Sequence, residues 1–290
     1  MFFNKIKFIF NSLKSLIISF KLMPNFYEIE LEKHYVSRRK DSKNPFFSSI
    51  KRYSLFSQSD EDSIIDEVIK RLEIQKGSFL ELGVGNGLQN NTLNLLSKSW
   101  EGIWVGAEDL VFEEGSRLKF FKKWITKDNI VDFLKSCNKN INKKFELDLI
   151  SIDLDGNDYH IWEAILNYGV HPKIIVAEYN GIFGPEAEWI MPYEEKFNWK
   201  LSRSMYFGAS YKSLINLFKT FNYLPVCCNS DTGVNLFLVE EKFRDRFPEI
   251  LATDERLIYE SPNYSISSNY KLHKSSPRLA ASLSGRYNFK

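Results

Sequence analysis

The segment 79–87, FLELGVGNG, constrains the fold of this chain more than any other stretch, because an apolar run ends in an acid and three alternate glycines. This pattern is typical of a buried strand that breaks into a tight turn. Glycine has no Cβ, so Gly83, Gly85 and Gly87 allow positive φ and let a ligand approach the main chain. A helix from about Asn90 would point its N-terminal N–H groups into the same space. The segment therefore predicts a nucleotide-type site on an α/β sheet.

The spacing of the glycines separates two kinds of nucleotide site. A dinucleotide-binding loop reads G-x-G-x-x-G, and its last glycine packs the helix on the strand. This chain has G-x-G-x-G instead, which disfavours a nicotinamide-dependent oxidoreductase. Glu81 closes the strand where it could meet a ligand ammonium group, so no pyrophosphate cradle is required.

Size and composition set the broad class. At 290 residues the chain suits one large α/β domain with flanking arms. A net charge of +2 argues against a nucleic-acid partner, because that role normally shows as a strongly basic face. The three cysteines, Cys137, Cys227 and Cys228, do not form a disulfide framework, which favours the cytoplasm.

The two ends of the chain differ in composition from its middle. Residues 1–23 are apolar with four lysines and no acid, and Lys14 interrupts any membrane-spanning run. They predict a basic amphipathic helix, either a peripheral anchor at the inner, anionic face of a membrane or a helix docked on its own domain. We predict an arm at 1–55, the main domain at 56–252, and a basic polar tail at 253–290 that is partly disordered or lies on the surface.

Strand-like and helical patterns alternate through the middle of the chain. Ser59 and Asp62 have the spacing of a capping box ahead of the helical stripe 64–72. Further helices are predicted at 90–96, 159–168 and 210–221, and strands at 79–81, 102–105, 121–125, 148–153, 173–178, 223–228 and 234–239. This alternation predicts an α/β fold, a Rossmann-like doubly wound, mostly parallel sheet with an antiparallel strand near its C-terminal end.

Polar residues close the predicted parallel strands. The first strand ends at Glu81, the fourth runs into residues 153–158, DLDGND, and the fifth into 178–180, EYN. Ligands bind beyond the carboxyl ends of strands in open parallel sheets. These positions therefore hold the candidate site residues.

Five segments between residue 56 and about residue 239 carry a resemblance to a known family. They are FSQSDED at 56–62, ELGVGNGLQNNT at 81–92, SIDLDGNDY at 151–159, EYN at 178–180 and YFGAS at 206–210. In this order they resemble class I SAM-dependent methyltransferases, in particular an FkbM-like group associated with surface polysaccharides. The resemblance implies S-adenosyl-L-methionine (SAM) as the cofactor and the class I methyltransferase sheet as the fold.

The resemblance also implies roles for single residues. Glu81, Gly83 and Gly85 would hold the methionine part of SAM, and the remaining members of the predicted cofactor site near the turn and the fourth strand are Asn86, Gly87, Asn91 and Asp153. An acid that binds the ribose is expected directly after the second strand, but that position is Gly106. Glu108 lies two residues later, faces the same side by strand periodicity, and is the ribose candidate. Asp128 and Asn129 are candidates for adenine contacts, or belong to a solvated loop.

The acids after the fourth and fifth strands allow two chemistries. Asp155, Glu178 and Asn180 offer oxygen ligands suited to Mg²⁺. Without a metal, Asp153 or Asp155 could serve as general base on a hydroxyl. His160 is a further catalytic candidate, or a packed surface histidine. Asn157 or Asp158 could instead cap the following helix.

The leading functional hypothesis is O-methylation of a sugar or a related hydroxylated cell-envelope metabolite, with a small-molecule or glycan acceptor and no nucleic acid. The aromatic-rich stretch 184–199 is expected to stack on an acceptor or to form the small core of a lid, and residues 206–210 are expected to frame the acceptor pocket. The alternative is a non-catalytic α/β nucleotide-binding or assembly protein, tethered to a membrane or complex by its basic arm and tail. Gly106 favours this alternative, because it replaces the expected ribose-binding acid.

Overall fold

The computed structural model of the chain describes residues 29–139, 146–202, 204–263 and 277–286, together with Lys14. The predicted basic helix at 1–23 lies outside these residues except for Lys14, and its membrane role stays a prediction. Within the described ranges, no helix combines the length and the hydropathy that crossing a bilayer requires.

In the part of the chain that the structure describes, seven strands form one mixed sheet in the order β3-β2-β1-β4-β5-β7-β6. The strands are β1 (Ser78–Leu82), β2 (Glu101–Gly106), β3 (Leu118–Lys122), β4 (Leu149–Ile152), β5 (Ile174–Glu178), β6 (Tyr223–Cys228) and β7 (Asn235–Glu240). Neighbouring strands from β3 to β5 pair in parallel, and β7 runs antiparallel to both β5 and β6. The predicted Rossmann-like sheet with an antiparallel strand near its C-terminal end is confirmed.

Helices connect the strands and cover the sheet. They are α1 (29–41), α2 (Glu61–Arg71), α3 (Leu93–Ser97), α4 (Ile130–Lys139), α5 (Asp158–Asn167), α6 (Trp199–Ser202), α7 (Tyr211–Thr220), α8 (Pro248–Leu251) and α9 (Pro277–Leu283). All four residues of β4 are buried, and so are the first four of β5. Because successive strand residues point to opposite faces, both faces of the central strands lie in the core.

Three predicted element starts differ from the structure. β3 begins at Leu118 rather than near 121, since Leu118–Lys122 pairs residue for residue with Gly102–Gly106. The capping box at Ser59 is wrong: Asp60 is the N-cap of α2, and the Asp62 carboxylate accepts N–H bonds from the loop 55–57 instead. α3 begins at Leu93 rather than at 90.

The described parts of the arm and tail pack on the central domain. Arg39 pairs with Asp60 at 3.2 Å, where both side chains are buried. The Ile258 side chain is buried, and its carbonyl accepts the Cys228 N–H at 3.2 Å. Ser284 is also buried, and its carbonyl accepts the Arg117 N–H at 2.8 Å. The domain boundaries at 55/56 and 252/253 stay predictions, although described segments on both sides of the domain contribute to its core.

Candidate functional site

The glycine turn after β1 closes the sheet against β4 and opens toward a cleft. Gly83 has φ +91°, and a Cβ there would stand 1.7 Å from the Asp153 carbonyl oxygen. Gly85 has φ +52°, and no described atom lies within 4 Å of the position its Cβ would take. Gly83 therefore permits close contact between β1 and β4, whereas Gly85 borders open space where a ligand can approach the backbone.

Glu81 on β1 fixes the start of α3. Its Oε1 accepts the Asn91 N–H at 3.0 Å, and its Oε2 accepts the Thr92 N–H at 3.1 Å and the Thr92 hydroxyl. Burial raises the pKa of the Glu81 carboxyl, and these hydrogen bonds oppose that shift. Glu81 is thus first a helix-capping residue, although it also borders the cleft.

A first compartment of about 220 Å³ lies beyond the carboxyl ends of β1, β2 and β4. Its lining includes glycine backbone, three acids and aromatic side chains. The lining residues are Gly83, Gly85, Val105, Gly106, Ala107, Glu108, Lys123, Trp124, Ile125, Asp153, Leu154, Asp155, Asn157, Phe197, Asn198 and Trp199. Glu108, the ribose candidate, therefore lines the same compartment as Gly83 and Gly85.

A second compartment of about 520 Å³ extends toward β5 and β7. Its lining is richer in amides and carboxylates, and comprises Gln58, Glu81, Gly83, Gln89, Asn90, Asn91, Asp153, Asp155, Glu178, Trp199, Met205, Phe207, Thr232, Val234 and Asn235. Gly83, Asp153, Asp155 and Trp199 line both compartments. These four residues form a shared wall where the contents of one compartment can meet those of the other.

A cluster of three carboxylates borders the second compartment. One oxygen each from Asp153, Asp155 and Glu178 lies within 4.8 Å of the others. Asp153 and Asp155 follow β4, Glu178 ends β5, and β4 and β5 are adjacent. Asp155 adopts a left-handed φ of +54°, a conformation that costs a non-glycine residue energy and is concentrated at functional sites.

Burial and mutual repulsion raise the pKa of carboxyl groups in and beside this cluster. Burial, then the nearby Asp155, raises the pKa of Asp153 well above its usual range. Burial, then Asp153, does the same to the pKa of Glu178, and the two carboxyl groups share a hydrogen bond. Burial also raises the pKa of Asp158 to about 6. The cluster therefore favours either a retained proton or a cation between its oxygens.

Two sequence-predicted candidates are committed to other contacts. Asn180, a predicted metal ligand, donates to the carbonyls of Met205 at 2.7 Å and Phe207 at 2.9 Å, and its Oδ1 accepts the Ile182 N–H. The third oxygen of the cluster comes from Asp153 instead. His160, a predicted catalytic residue, bonds the Met191 carbonyl at 2.8 Å and lies outside the described lining of both compartments.

The remaining cofactor candidates divide between the turn and a distant loop. Asn86 stabilises the turn by accepting the Leu88 N–H at 3.1 Å, and Asn91 donates to Ser151 Oγ at 3.1 Å. Gly87 has φ +84°, so it too needs the left-handed conformation. Asp128 is exposed, and Asn129 bonds backbone groups of Trp124 and Thr126. Neither belongs to the described lining of a compartment; Trp124 and Ile125, just before them, do.

Gly106 has a packing explanation. A Cβ at Gly106 would stand 3.0 Å from Val84 Cγ2 and 3.7 Å from the Gly85 nitrogen. A larger side chain would require Val84 to shift by a few tenths of an ångström, so local packing favours a small residue at this position.

The sequence did not predict most of the uncharged polar residues that line the second compartment. Asn90, Thr232 and Asn235 line the second compartment, but isolated amides and hydroxyls between apolar runs give no distinctive signal. Trp199 lies in the aromatic stretch that was expected to stack on an acceptor or to form the small core of a lid. Phe207 lies in the segment 206–210 that was expected to frame the acceptor pocket, and both residues line this compartment.

No protein-family model and no curated protein sequence matches the chain. Solved structures similar to it include the MycE methyltransferase of mycinamycin biosynthesis with Mg, S-adenosylhomocysteine (SAH) and mycinamycin VI, at 14% identity, 61% coverage of this chain, 48% of that chain and TM-score 0.39. The plantazolicin methyltransferase BpumL with SAH matches at 13% identity, 80% and 99% coverage and TM-score 0.38. Burkholderia thailandensis 1,6-didemethyltoxoflavin-N1-methyltransferase with SAH matches at 10% identity, 74% and 88% coverage and TM-score 0.38.

This chain thus spans about half the length of the MycE protein. At such identities and TM-scores, the matches do not assign an activity or a substrate to the chain.

Proposed function

We propose that this protein is a SAM-dependent methyltransferase that methylates a hydroxyl group of a sugar or a related hydroxylated cell-envelope metabolite. The observation that carries the proposal is the pair of compartments that meet at Gly83, Asp153, Asp155 and Trp199, above the carboxyl ends of β1 and β4. The methyltransferase resemblance of the sequence segments that build this site supports it.

The first compartment fits the adenosine part of SAM. Glu108 offers a carboxylate for ribose hydroxyls, Trp124 and Ile125 offer apolar surface for a base, and Gly85 leaves room at the backbone. The methionine part would extend past Gly83 into the second compartment, beside Glu81 and Asn90. SAM supplies a methyl group that its sulfonium charge makes electrophilic.

The shared wall suits methyl transfer to a hydroxyl. Asp153 and Asp155 stand where the two compartments meet, so either carboxylate can accept the hydroxyl proton. Asp153 is the stronger candidate, because its raised pKa brings it closer to that of a working general base. Holding the donor and acceptor in adjoining compartments supplies orientation.

The carboxylate cluster also fits a divalent cation. Its three oxygen ligands are the kind that Mg²⁺ prefers, and a cation would relieve their mutual repulsion. Asp153, Asp155 and Glu178 would hold the ion, which would lower the pKa of a hydroxyl bound beside it. Asp153 would then act as a ligand rather than as the base.

The non-catalytic alternative depends on Gly106, which stands where a ribose-binding acid is expected. The contact of Gly106 with Val84 offers a packing reason for this glycine that does not involve loss of the cofactor. Glu108 lines the first compartment two residues later.

Calorimetric titration with SAH tests the proposal on the wild-type chain and on Glu108→Gln. Glu108→Gln removes the charge that would accept the ribose hydroxyl hydrogen bonds, so we expect about tenfold weaker binding, in line with one lost charge-assisted hydrogen bond. The matched control is Asp109→Asn, which changes the neighbouring acid in the same loop. Asp109 is largely exposed and pairs with Lys122 at 2.6 Å, so its substitution should leave the Kd unchanged.

Absence of SAH binding by the wild-type chain would refute the methyltransferase proposal and return the non-catalytic alternative. If Glu108→Gln and Asp109→Asn weaken SAH binding equally, the cause is the negative charge of the loop and not a contact between Glu108 and the ribose.

A further inference from the structure

Two buried asparagines of the second compartment each have an amide oxygen without a hydrogen-bond partner among the described residues. They are Asn90, after β1, and Asn235, at the start of β7, and each side chain is only 3% exposed. A buried amide oxygen that makes no hydrogen bond is costly, and such an atom in a native structure commonly awaits a ligand or water. Both residues line the same compartment.

The hydrogen bond to Glu61 sets the orientation of the Asn235 side-chain amide. Its Nδ2 donates to Glu61 Oε1 at 3.3 Å. That same oxygen receives the Ser59 hydroxyl at 2.9 Å and the Asn229 amide at 3.2 Å, so it acts as an acceptor throughout. Asn235 must therefore turn its NH₂ group toward Glu61, which leaves Oδ1 as the amide atom without a hydrogen-bond partner among the described residues.

The backbone of Asn235 is fixed by the same neighbourhood. The Asn235 N–H donates to Asn229 Oδ1 at 2.8 Å. Glu61 and Asn229 are both fully buried. The residue is therefore held from behind in one position, as expected of a preorganised contact rather than a loosely packed side chain.

The two asparagines lie near different strands of the sheet. Asn90 donates its Nδ2 to the Val84 carbonyl at 3.2 Å, next to the glycine turn of β1. Asn235 is the direct cross-strand partner of Glu178 on β5. Because β4 and β5 lie between β1 and β7, the two strand ends are on the order of 14 Å apart at the usual strand spacing. Asn90 is therefore nearer the strand that we assign to the methyl donor, and Asn235 is nearer the strands that we assign to the acceptor.

We propose that Asn235 Oδ1 receives a hydrogen bond from a hydroxyl group of the methyl acceptor, that Glu61 positions it, and that the acceptor is a neutral polyhydroxylated ring. This inference rests on the proposed methyltransferase function, and it adds Asn235 as a residue that recognises the acceptor.

The rest of the lining fits such a ring. Gln58 brings a neutral amide, which can both donate and accept hydrogen bonds, as hydroxyl groups do. Trp199 and Phe207 bring aromatic surface, with ring centroids 6.0 Å apart, that suits the apolar face of a sugar. By the same reasoning, Asn90 Oδ1 would receive a hydrogen bond from the ammonium group of the methionine part of SAM.

The test compares Asn235→Leu with Asn90→Leu, two matched changes that each replace an amide by an apolar side chain of similar size. The acceptor probes are methyl hexopyranosides and nucleoside-diphosphate hexoses, each assayed with tritiated SAM. For Asn235→Leu we expect the acceptor KM to rise about tenfold or more while the Kd of SAH stays unchanged. For Asn90→Leu we expect the reverse: weaker SAH binding and an unchanged acceptor KM.

Two further measurements test the inference if the probes are not methylated or if the Asn235→Leu variant does not fold. Saturation-transfer NMR with the same probes reports their binding without turnover, and Asn235→Leu should lose the signals that the wild type gives. If Asn235→Leu does not fold, Asn235→Ser retains an acceptor oxygen at shorter reach and should show a smaller loss in the same direction.

The outcomes separate the inference from the proposed function. Wild-type chain that binds SAH but none of the polyhydroxylated probes, or an Asn235→Leu variant with unchanged probe binding and KM, would overturn the inference alone. Wild-type chain that does not bind SAH would overturn the proposed function, and the effect of Asn235→Leu on the NMR signals would still decide whether Asn235 reads a hydroxylated ligand.

Discussion

Asp153 shows how a single residue can be placed for chemistry at the expense of stability. Burial and the neighbouring Asp155, Asp158 and Glu81 all raise its pKa. A group whose pKa is raised on folding stabilises the fold below its unfolded-state pKa, and that contribution is lost as the pH rises toward the folded-state value. At neutral pH the proximity of these acids therefore lowers the free energy of unfolding, which is the usual pattern at catalytic sites.

We predict that Asp153→Asn is more stable than the wild type at pH 8 and catalytically impaired. Asparagine removes the titrating group, so the gain in the free energy of unfolding should be about 0.5–2 kcal/mol at pH 8 and smaller at pH 5, because the raised pKa favours the protonated carboxyl as the pH falls. Urea unfolding at both pH values checks the stability, and tritiated-methyl transfer checks the activity. A loss of stability of equal size at both pH values would contradict the prediction.

At the scale of elements, Glu81 decides where α3 begins. The helix has only five residues, and the Glu81 carboxylate accepts the N–H groups of Asn91 and of the N-cap residue Thr92, directly before its first turn. Such a cap matters more for a short helix, which gains little from its own hydrogen bonds.

We predict that Glu81→Gln destabilises the chain by about 1–3 kcal/mol, because one oxygen that accepts buried hydrogen bonds is replaced by an NH₂ group. Glu101→Gln is the matched control, since Glu101 is exposed at the start of β2, and it should change the free energy of unfolding by less than about 0.5 kcal/mol. Urea denaturation of both variants at pH 7 measures the difference. Equal stabilities for the two variants would show that the cap contributes little.

Local patterns in the sequence predicted the elements better than the contacts between them. The runs at 148–153 and 173–178 predict β4 and β5 because buried parallel strands are continuously apolar. β3 was placed three residues late, since its start depends on pairing with Gly102 and on the contact of Arg117 with Ser284, more than 160 positions away.

The candidate site divides in the same way. The glycines of the turn could be predicted, because glycine tolerates positive φ wherever it occurs. The acids that end β4 and β5 could also be predicted, because they directly follow apolar runs. Asn180 could not be assigned from sequence, since its amide is bound by the carbonyls of Met205 and Phe207 from a later segment. Asn235 has no local signature, and its orientation depends on Glu61 in a distant helix.

At the scale of the whole molecule, the arm ahead of the domain completes the packing around the second compartment. The guanidinium of Arg52 donates from Nε to Asp231 Oδ1 at 2.7 Å and from Nη2 to Oδ2 at 2.5 Å, and it also pairs with Glu32. Asp231 is fully buried and directly precedes Thr232 of the compartment lining. The arm is therefore part of the structure that holds the candidate acceptor site.

We predict that Arg52→Met lowers the free energy of unfolding by about 3–5 kcal/mol, because it leaves the Asp231 carboxylate buried without its partner. The double variant Arg52→Met with Asp231→Asn should recover much of this loss, since the unpaired charge is gone. Urea denaturation of the single and double variants measures both effects. A double variant no more stable than Arg52→Met would attribute the loss to packing of the Arg52 side chain, including its contact with the Tyr35 ring at 5.0 Å.

The bond between Arg52 and Asp231 has a consequence for how loss-of-function alleles of this protein should be interpreted. A missense change at position 52, in the arm ahead of the predicted domain, would disturb the turn that carries Thr232 and so mimic a defect in the acceptor pocket. A genetic screen for inactive alleles should therefore recover substitutions at position 52 together with those at the carboxylate cluster, and suppressors of the former should map to position 231.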